Sequence, residues 1–509
     1  PSVASGLQRV GRAGHTVGAV SHGSFYPKHR ADLVQTAVTV ERMRTGSIEE
    51  IHPPKNPLDV LTQQTVAAVA AADLDVEDWF ATVRRAHPYR ELPREVFDAV
   101  LDLVSGVYPS ADFAELKPRV VYDRTTGVLS ARPGARRVAV TSGGTIPDRG
   151  MFGVFLEGGG ENGAPRRVGE LDEEMVYESR VGDVFTLGAT SWRIEDITRD
   201  QVLVTPAPGH TGRLPFWNGG AVGRPAELGR ALGAFRREIL AEADSADPGA
   251  GAGAGVGVGG AEERLRTAGL DDDARANLVA YLRDQRDATG VVPDERTLVL
   301  ERFRDELGDW RVVLHSPFGR GVNAAWALAV GAAVEENLGM DAQAVAGDDG
   351  IVLRLPDADA EPSGALFALD PDEVGETVAA RVGDSALFAS RFRECAARAL
   401  LLPRRNPGRR APLWQQRQRA EQLLDVARRY PSFPIILETV RECLQDVYDL
   451  PALEEVLRAV ALRRVRIAEV TTEQPSPFAS SLLFNYTGAF MYEGDTPAAE
   501  KRAAALALD

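Results

Sequence analysis

Residues 8–12 of this chain, Gln8-Arg9-Val10-Gly11-Arg12, set two guanidiniums three positions apart beside a glycine. Arginine stays charged at every physiological pH and matches the oxygens of a phosphate with two parallel N–H donors. In phosphoryl transfer a guanidinium so placed stabilises the charge that builds on the transferred group. Arg-Gly turns also occur as solvated loops, and these five residues alone rank the two readings level. A nucleotide pocket further needs a Gly-rich loop with a Lys that reaches the phosphates. The sequence has four lysines, Lys28, Lys55, Lys117 and Lys501, and none follows Gly or precedes Ser or Thr, so these residues contain no such loop.

Other residues invite chemistry to different degrees. Trp217 stands between Phe216 and Asn218-Gly219-Gly220, bracketed by Pro215 and Pro225. Glycine lets a ligand approach the backbone closely, and a Trp ring stacked on an unpaired base contributes roughly 1–3 kcal/mol. An arbitrary Trp is more commonly a core plug. Ile146, in Gly143-Gly144-Thr145-Ile146-Pro147, reads equally as an apolar wedge against a base step and as a core residue. His315-Ser316 suggests a nucleophile pair, but neighbours on a strand face opposite sides, which argues against a hydrolase built on His315. Asp348-Asp349-Gly350 is turn chemistry rather than a ligand set. Cys395 and Cys443 are too few for a disulfide framework or a structural zinc site and read as buried free thiols, so no metal site is expected.

Four separated segments carry a resemblance: Ser5–Tyr26, Gly212–Gly219, His315-Ser316-Pro317-Phe318-Gly319 and Pro475-Ser476-Pro477-Phe478-Ala479. Together they resemble the large helicase-related (Lhr) family of superfamily 2 over essentially the whole chain. The resemblance implies an ATP-dependent DNA helicase moving 3′ to 5′, acting in DNA repair, of which this chain is the portion from the last nucleotide-sensing motif onward. It implies that Arg9 and Arg12 are catalytic and, with Gln8, contact the nucleotide. The cofactor would be ATP with Mg2+, held mainly by an N-terminal motor domain outside these residues. The chain alone is then expected not to hydrolyse ATP. The partners implied are that motor domain, single-stranded DNA and a DNA:DNA or RNA:DNA duplex. His15 departs from the pattern, since many superfamily 2 enzymes carry a second Arg there. With the resemblance in hand, stacking is the favoured reading for Trp217. The alternative is a non-catalytic winged-helix DNA-binding or scaffold protein.

The expected fold class is multidomain α/β plus α+β. Residues 1–54 are expected to end a RecA-like lobe, with a strand over Thr16–Ser21 and a helix over Lys28–Arg44. Residues 55–147 are expected to be a winged helix. Its three helices fall at Leu58–Ala72, Val76–Ala86 and Arg94–Val104, and its wing, Arg119–Thr145, carries Arg119, Arg124, Arg132, Arg136 and Arg137. Of these, Arg119, Arg132 and Arg136 join Trp217 and Ile146 as candidate nucleic-acid contacts, through the backbone rather than bases. Residues 148–225 alternate as a small antiparallel β-barrel or sheet should. Residues 226–509 are expected to form a helical α/β C-terminal module with a Gly/Ala linker at 243–260. The basic cluster Arg404, Arg405, Arg409 and Arg410 beside Trp414 reads equally as a strand contact and as a solvated face.

Length points to several domains, and 44% hydrophobic with 26% charged residues is ordinary for globular proteins. The net charge of −16 is unevenly spread: residues 1–147 hold 17 basic and 16 acidic groups, the rest 41 and 58. A local basic face can therefore still hold phosphates. Because 54 of 58 basic residues are Arg in an Ala-, Gly- and Val-rich chain, arginine abundance reflects genome composition and is discounted. No apolar run reaches membrane-spanning length, and the expectation is a bacterial cytoplasmic, nucleoid-associated protein with no membrane partner.

Overall fold

The structure is a computed structural model that describes residues 2–14, 18, 20–108, 116–146, 151–158, 166–172, 176, 179–187, 190–198, 201–207, 223–245, 260–305, 308–339, 344–355, 361–383, 385–402, 413–430 and 432–483. It divides into two compact units, each built from separated stretches of chain. One comprises residues 52–221 and 382–446, the other 1–51, 222–381 and 447–509. The stretch 226–509, expected as one module, is thus shared between them.

In the first unit, helices Leu58–Val69, Val76–Arg84 and Arg94–Ser105 bury Leu61, Val66, Val83, Phe97, Leu101 and Val104 in one core. The second helix starts at Asp75, whose carboxylate accepts from the N–H groups of Glu77 and Asp78. The third stops at Gly106, where φ is +91° and an added Cβ would lie 2.9 Å from Pro118. A hairpin of Val120–Asp123 and Val128–Ala131, with Leu74–Asp75 as third strand, completes a winged helix. The wing is shorter than expected. After Gly134 the chain turns into a helix, Ala135–Ser142, so Arg136 and Arg137 sit on that helix and not on the hairpin. Ala135 and Val138 provide its buried side.

The following sheet has the order Arg167–Asp172, Met151–Leu156, Gln201–Pro206, Thr190–Ile197, Val184–Leu187. It is mixed rather than purely antiparallel, because Met151–Leu156 runs parallel to Gln201–Pro206. The Gly/Ala linker expected at 243–260 is overlapped by helix at both ends, at 243–245 and at Gly260, and its remainder, 246–259, lies outside the described residues. Helices Ala386–Arg398, Leu413–Ala427 and Pro434–Glu442 also belong to this unit.

In the second unit, helices Val3–Val10, Arg30–Thr45, Ala226–Ser245, Gly260–Thr267 and Asp272–Thr289 share a core that includes Val3, Val38, Leu232, Phe235, Leu278 and Leu282. Between the last two helices the chain breaks, since Gly269 takes φ +92° and Asp271 caps a new start. A five-stranded sheet runs Ala344–Gly347, Gly350–Leu355, Trp310–His315, Thr297–Arg304, Arg466–Thr471, with the last pair parallel. Of the strand expected at Thr16–Ser21, the described residues Gly18, Val20 and Ser21 carry none.

Candidate nucleic-acid interface

The paired arginines straddle the end of a helix. Val3–Val10 is capped by the Ser2 side chain, and Glu49 accepts from the N–H groups of Val3 and Ala4 at 2.6 and 3.2 Å, countering the helix dipole. Gly6 permits close packing on Arg30–Thr45, since a Cβ there would lie 2.7 Å from the Met43 sulfur. With Val3 and Gly6 inward, Gln8, Arg9 and Arg12 are left exposed. Arg9 is in the last helical turn, and Arg12 follows in a turn where its N–H donates to the Arg9 carbonyl at 3.2 Å. The motif is therefore a helix end, not the free glycine-flanked turn its composition suggested. Neither guanidinium has an ion-pair or hydrogen-bond partner among the described residues.

On the winged helix the arginines sort into engaged and open. Arg124 pairs with Asp102 at 2.5 Å and lies over the Tyr122 ring. Arg132 donates from Nε to the Val120 carbonyl at 3.3 Å, and Arg119 is partly buried and engaged within the protein. Arg136 and Arg137 are exposed and have no side-chain partner among the described residues. The same helix leaves Val140 78% exposed, and beyond it Ile146 is 90% exposed, which removes the core reading for Ile146. Trp217 and the cluster Arg404, Arg405, Arg409 and Arg410 lie outside the described residues.

Two further clusters are held internally. Glu301 is fully buried and accepts from Ser476 N–H and Oγ at 2.7 and 2.5 Å and from Thr472 Oγ at 3.1 Å, and it pairs with His315 Nε2 at 2.8 Å. Burial works against its charge, but the His315 and Ser476 bonds outweigh burial and hold Glu301 below its ordinary value. His315-Ser316 and Pro475-Ser476-Pro477-Phe478 are thereby explained as one packed joint. Ser316 and His315 are each 1% exposed, and Ser316 Oγ makes no bond to His315, so no nucleophile is presented. In the Asp348-Asp349 turn, Asp349 receives both buried guanidiniums Arg224 and Arg236, and Asp348 accepts from the N–H groups of Arg224 and Arg320. Burial opposes its charge, yet Arg224 and Arg236 keep Asp349 far below the usual carboxylate range.

The third polar cluster was not anticipated. Asp59, Cys395 and Glu442 converge in the winged-helix unit, but Arg398 bonds both carboxylates and Arg391 reaches Glu442 at 3.4 Å. Guanidiniums balance these carboxylates, as in a buried ion-pair network rather than a cation site. Both cysteines are free and buried, and burial pushes the Cys443 thiol up to about 12. The sequence signal for this cluster was slight: Asp59 is the one charged residue on a buried helix face that also carries Thr62, Gln63 and Thr65.

These features define a winged-helix protein with an added α/β unit, and comparison with known proteins makes the class specific. Residues 41–214 match the large helicase-related protein winged helix domain, and residues 292–479 match the DEAD/H associated domain. The chain belongs to the large helicase-related (Lhr) family. It is 63% identical over its whole length to the Lhr helicase/probable uracil glycosylase of Mycolicibacterium smegmatis and 58% identical to the Lhr helicase/uracil glycosylase of Escherichia coli. It spans only 33% and 32% of those relatives. The ATP-dependent helicase Lhr-Core of Saccharolobus solfataricus is 30% identical, matched over 95% of this chain and 54% of its own length. A solved structure of Mycobacterium smegmatis helicase Lhr bound to ssDNA and AMP-PNP superposes with a TM-score of 0.73 at 53% identity, covering 95% of this chain and 55% of that one. No helix among the described residues is long and apolar enough to cross a membrane.

Proposed function

We propose that this chain is the DNA-binding part of an ATP-dependent DNA helicase that moves 3′ to 5′ and serves DNA repair. The observation that carries this reading is the exposed stretch of the winged-helix unit, where Arg136 and Arg137 have no side-chain partner among the described residues and Ile146 is 90% exposed. Unpaired guanidiniums hold phosphates without first breaking an internal ion pair, and an exposed branched side chain presses on a base step. Arg119 and Arg132, engaged within the protein, take smaller backbone roles, and Trp217 stacks on an unpaired base. The relative bound to ssDNA and AMP-PNP supports both ligand classes.

Gln8, Arg9 and Arg12 contact the nucleotide, with both guanidiniums on its phosphates, and their exposure leaves room for that. ATP supplies the free energy of strand separation when its terminal phosphoryl group passes to water. The sequence holds no Gly-Lys-Ser/Thr loop, so the rest of the pocket, including the ligands of Mg2+, belongs to a motor domain outside these residues. The 509-residue chain alone should show no ATP turnover. The test is unwinding of a 3′-tailed duplex, DNA:DNA or RNA:DNA, by the full-length enzyme. Trp217→Ala should weaken unwinding and single-strand binding more than nucleotide binding. Unchanged unwinding by that variant would remove the stacking role.

A further inference from the structure

Ile146 reaches solvent from a short loop that follows the Ala135–Ser142 helix, and an exposed wedge is useful only if something keeps it from folding back. One buried side chain supplies that hold. Gln63, 3% exposed on the Leu58–Val69 helix, donates from Nε2 to the Gly144 carbonyl at 3.0 Å and accepts the Gly144 N–H on Oε1 at 2.9 Å. The two bonds close a ring between a side-chain amide and one backbone residue, which fixes orientation as well as distance. Nε2 also donates to the Arg398 carbonyl at 2.7 Å, so both of its protons are used. Arg398 is in turn held by Asp59 and Glu442. Gly144 has φ +112°, a conformation that side chains with a Cβ rarely adopt, and no atom lies within 4 Å of where a Cβ would stand. The neighbours leave that space open, so Gly144 is required by its backbone angle rather than by close packing, and Gln63 makes two of the bonds that stabilise that angle.

We propose that Gln63 is a positioning residue for strand separation: by clasping the Gly144 peptide groups it sets the projection of Ile146, two residues on. A buried amide pairing a backbone N–H and C=O does nothing for DNA by itself, and its substitution acts through Ile146. This rests on the wedge reading above, and the experiment separates the two.

In the full-length enzyme, Ile146→Ala, Gln63→Met, Gly144→Ala and the Gln63→Met/Ile146→Ala pair are compared for base pairs opened per ATP consumed on a 3′-tailed duplex. Met matches Gln in length and removes these three bonds, along with the longer one that Gln64 Nε2 donates to Gln63 Oε1 at 3.5 Å. Gly144→Ala disturbs the loop from its exposed side, leaves the core intact, and so serves if Gln63→Met fails to fold. Ile146→Ala and Gln63→Met should each lower that yield by roughly tenfold, about 1.4 kcal/mol of lost coupling, with Gly144→Ala falling in the same direction. The double variant should be no worse than Ile146→Ala. Hydrogen exchange adds a local readout: Gln63→Met should speed exchange of the Gly144 N–H while the Leu58–Val69 helix amides keep their protection. If the losses multiply in the double variant, or Gln63→Met and Gly144→Ala open as many base pairs per ATP as wild type while Ile146→Ala does not, the positioning role is overturned and the wedge survives. If Ile146→Ala itself is unimpaired, the wedge reading fails and the positioning role falls with it.

Discussion

Replacing Arg136 and Arg137 together by Ala makes a quantitative demand on the interface. Both side chains leave an eight-residue helix that contains no acidic residue, and neither has a partner among the described residues. No internal ion pair must break before either binds a phosphate, and removing them costs the fold little. Each phosphate contact on a single strand adds about 0.7 to the slope of log affinity against log salt, so two contacts add about 1.4. Raising salt fourfold, from about 50 to 200 mM, should therefore weaken wild-type binding about sevenfold more than that of the double variant. The assay is fluorescence anisotropy of a labelled oligothymidylate titrated with the 509-residue chain across that range. Arg124→Ala is the internal control, since Arg124 is already neutralised by Asp102 at 2.5 Å and should leave the slope unchanged. Equal slopes for wild type and the Arg136→Ala/Arg137→Ala variant would refute the reasoning, as would a larger effect from Arg124.

Other perturbations test the frame that carries this face. Arg398→Met strands the buried carboxylates of Asp59 and Glu442, and losing one partner of a buried ion pair costs about 3–5 kcal/mol. For a unit of this size that is a fall in melting temperature of about 6–20 °C, and a variant melting within two degrees or so of wild type would contradict it. Glu438 gives a pH dependence: burial, reinforced by the charge of Asp59, outweighs its bonds to Arg441 and Leu58 N–H and pushes its carboxyl up to about 7. Between the ordinary carboxyl range and about pH 7 the native state then binds more protons than the unfolded one, so stability falls as pH rises through that window. Thermal melting at pH 5 and 7.5 should show a larger drop for wild type than for Glu438→Gln, and equal drops would count against this assignment.

Local pattern made some elements legible and others not. Phe97, Val100, Leu101 and Val104 recur at helical spacing, and the structure turns that face into the core. Met151–Leu156 and Gln201–Pro206 alternate as strands should, but their parallel pairing brings together residues about fifty apart, which no local pattern encodes. The helix Ala135–Ser142 was hidden because Val138-Ala139-Val140 reads as strand, while its actual signal was Gly134 followed by buried residues three apart. The long helix Arg320–Leu338 has apolar residues on several sides, since much of it is buried, and it therefore lacks a periodic stripe.

The candidate sites divide in the same way. Exposure of Arg9 and Arg12 agrees with residue type, that of Ile146 runs against it, and Gln63 and Asp59 acquire meaning from Arg398, more than 300 residues away. A glutamine and an aspartate among the polar residues on the inner side of Leu58–Val69 were the available signal, because a buried polar group needs a partner. Arg136 was expected on the wing, and the structure puts it on a helix that leaves it exposed beside Arg137.

The central claim is that the two amino-terminal guanidiniums act on a nucleotide held mainly by another part of the enzyme. Steady-state ATP turnover by the full-length protein carrying Arg12→Ala tests it most directly, with single-strand affinity measured on the same preparation. Turnover should fall by about 1,000-fold or more, the usual weight of a transition-state arginine, while DNA affinity stays within about twofold. Turnover close to wild type, or a loss of DNA affinity as large as the loss of turnover, would contradict it.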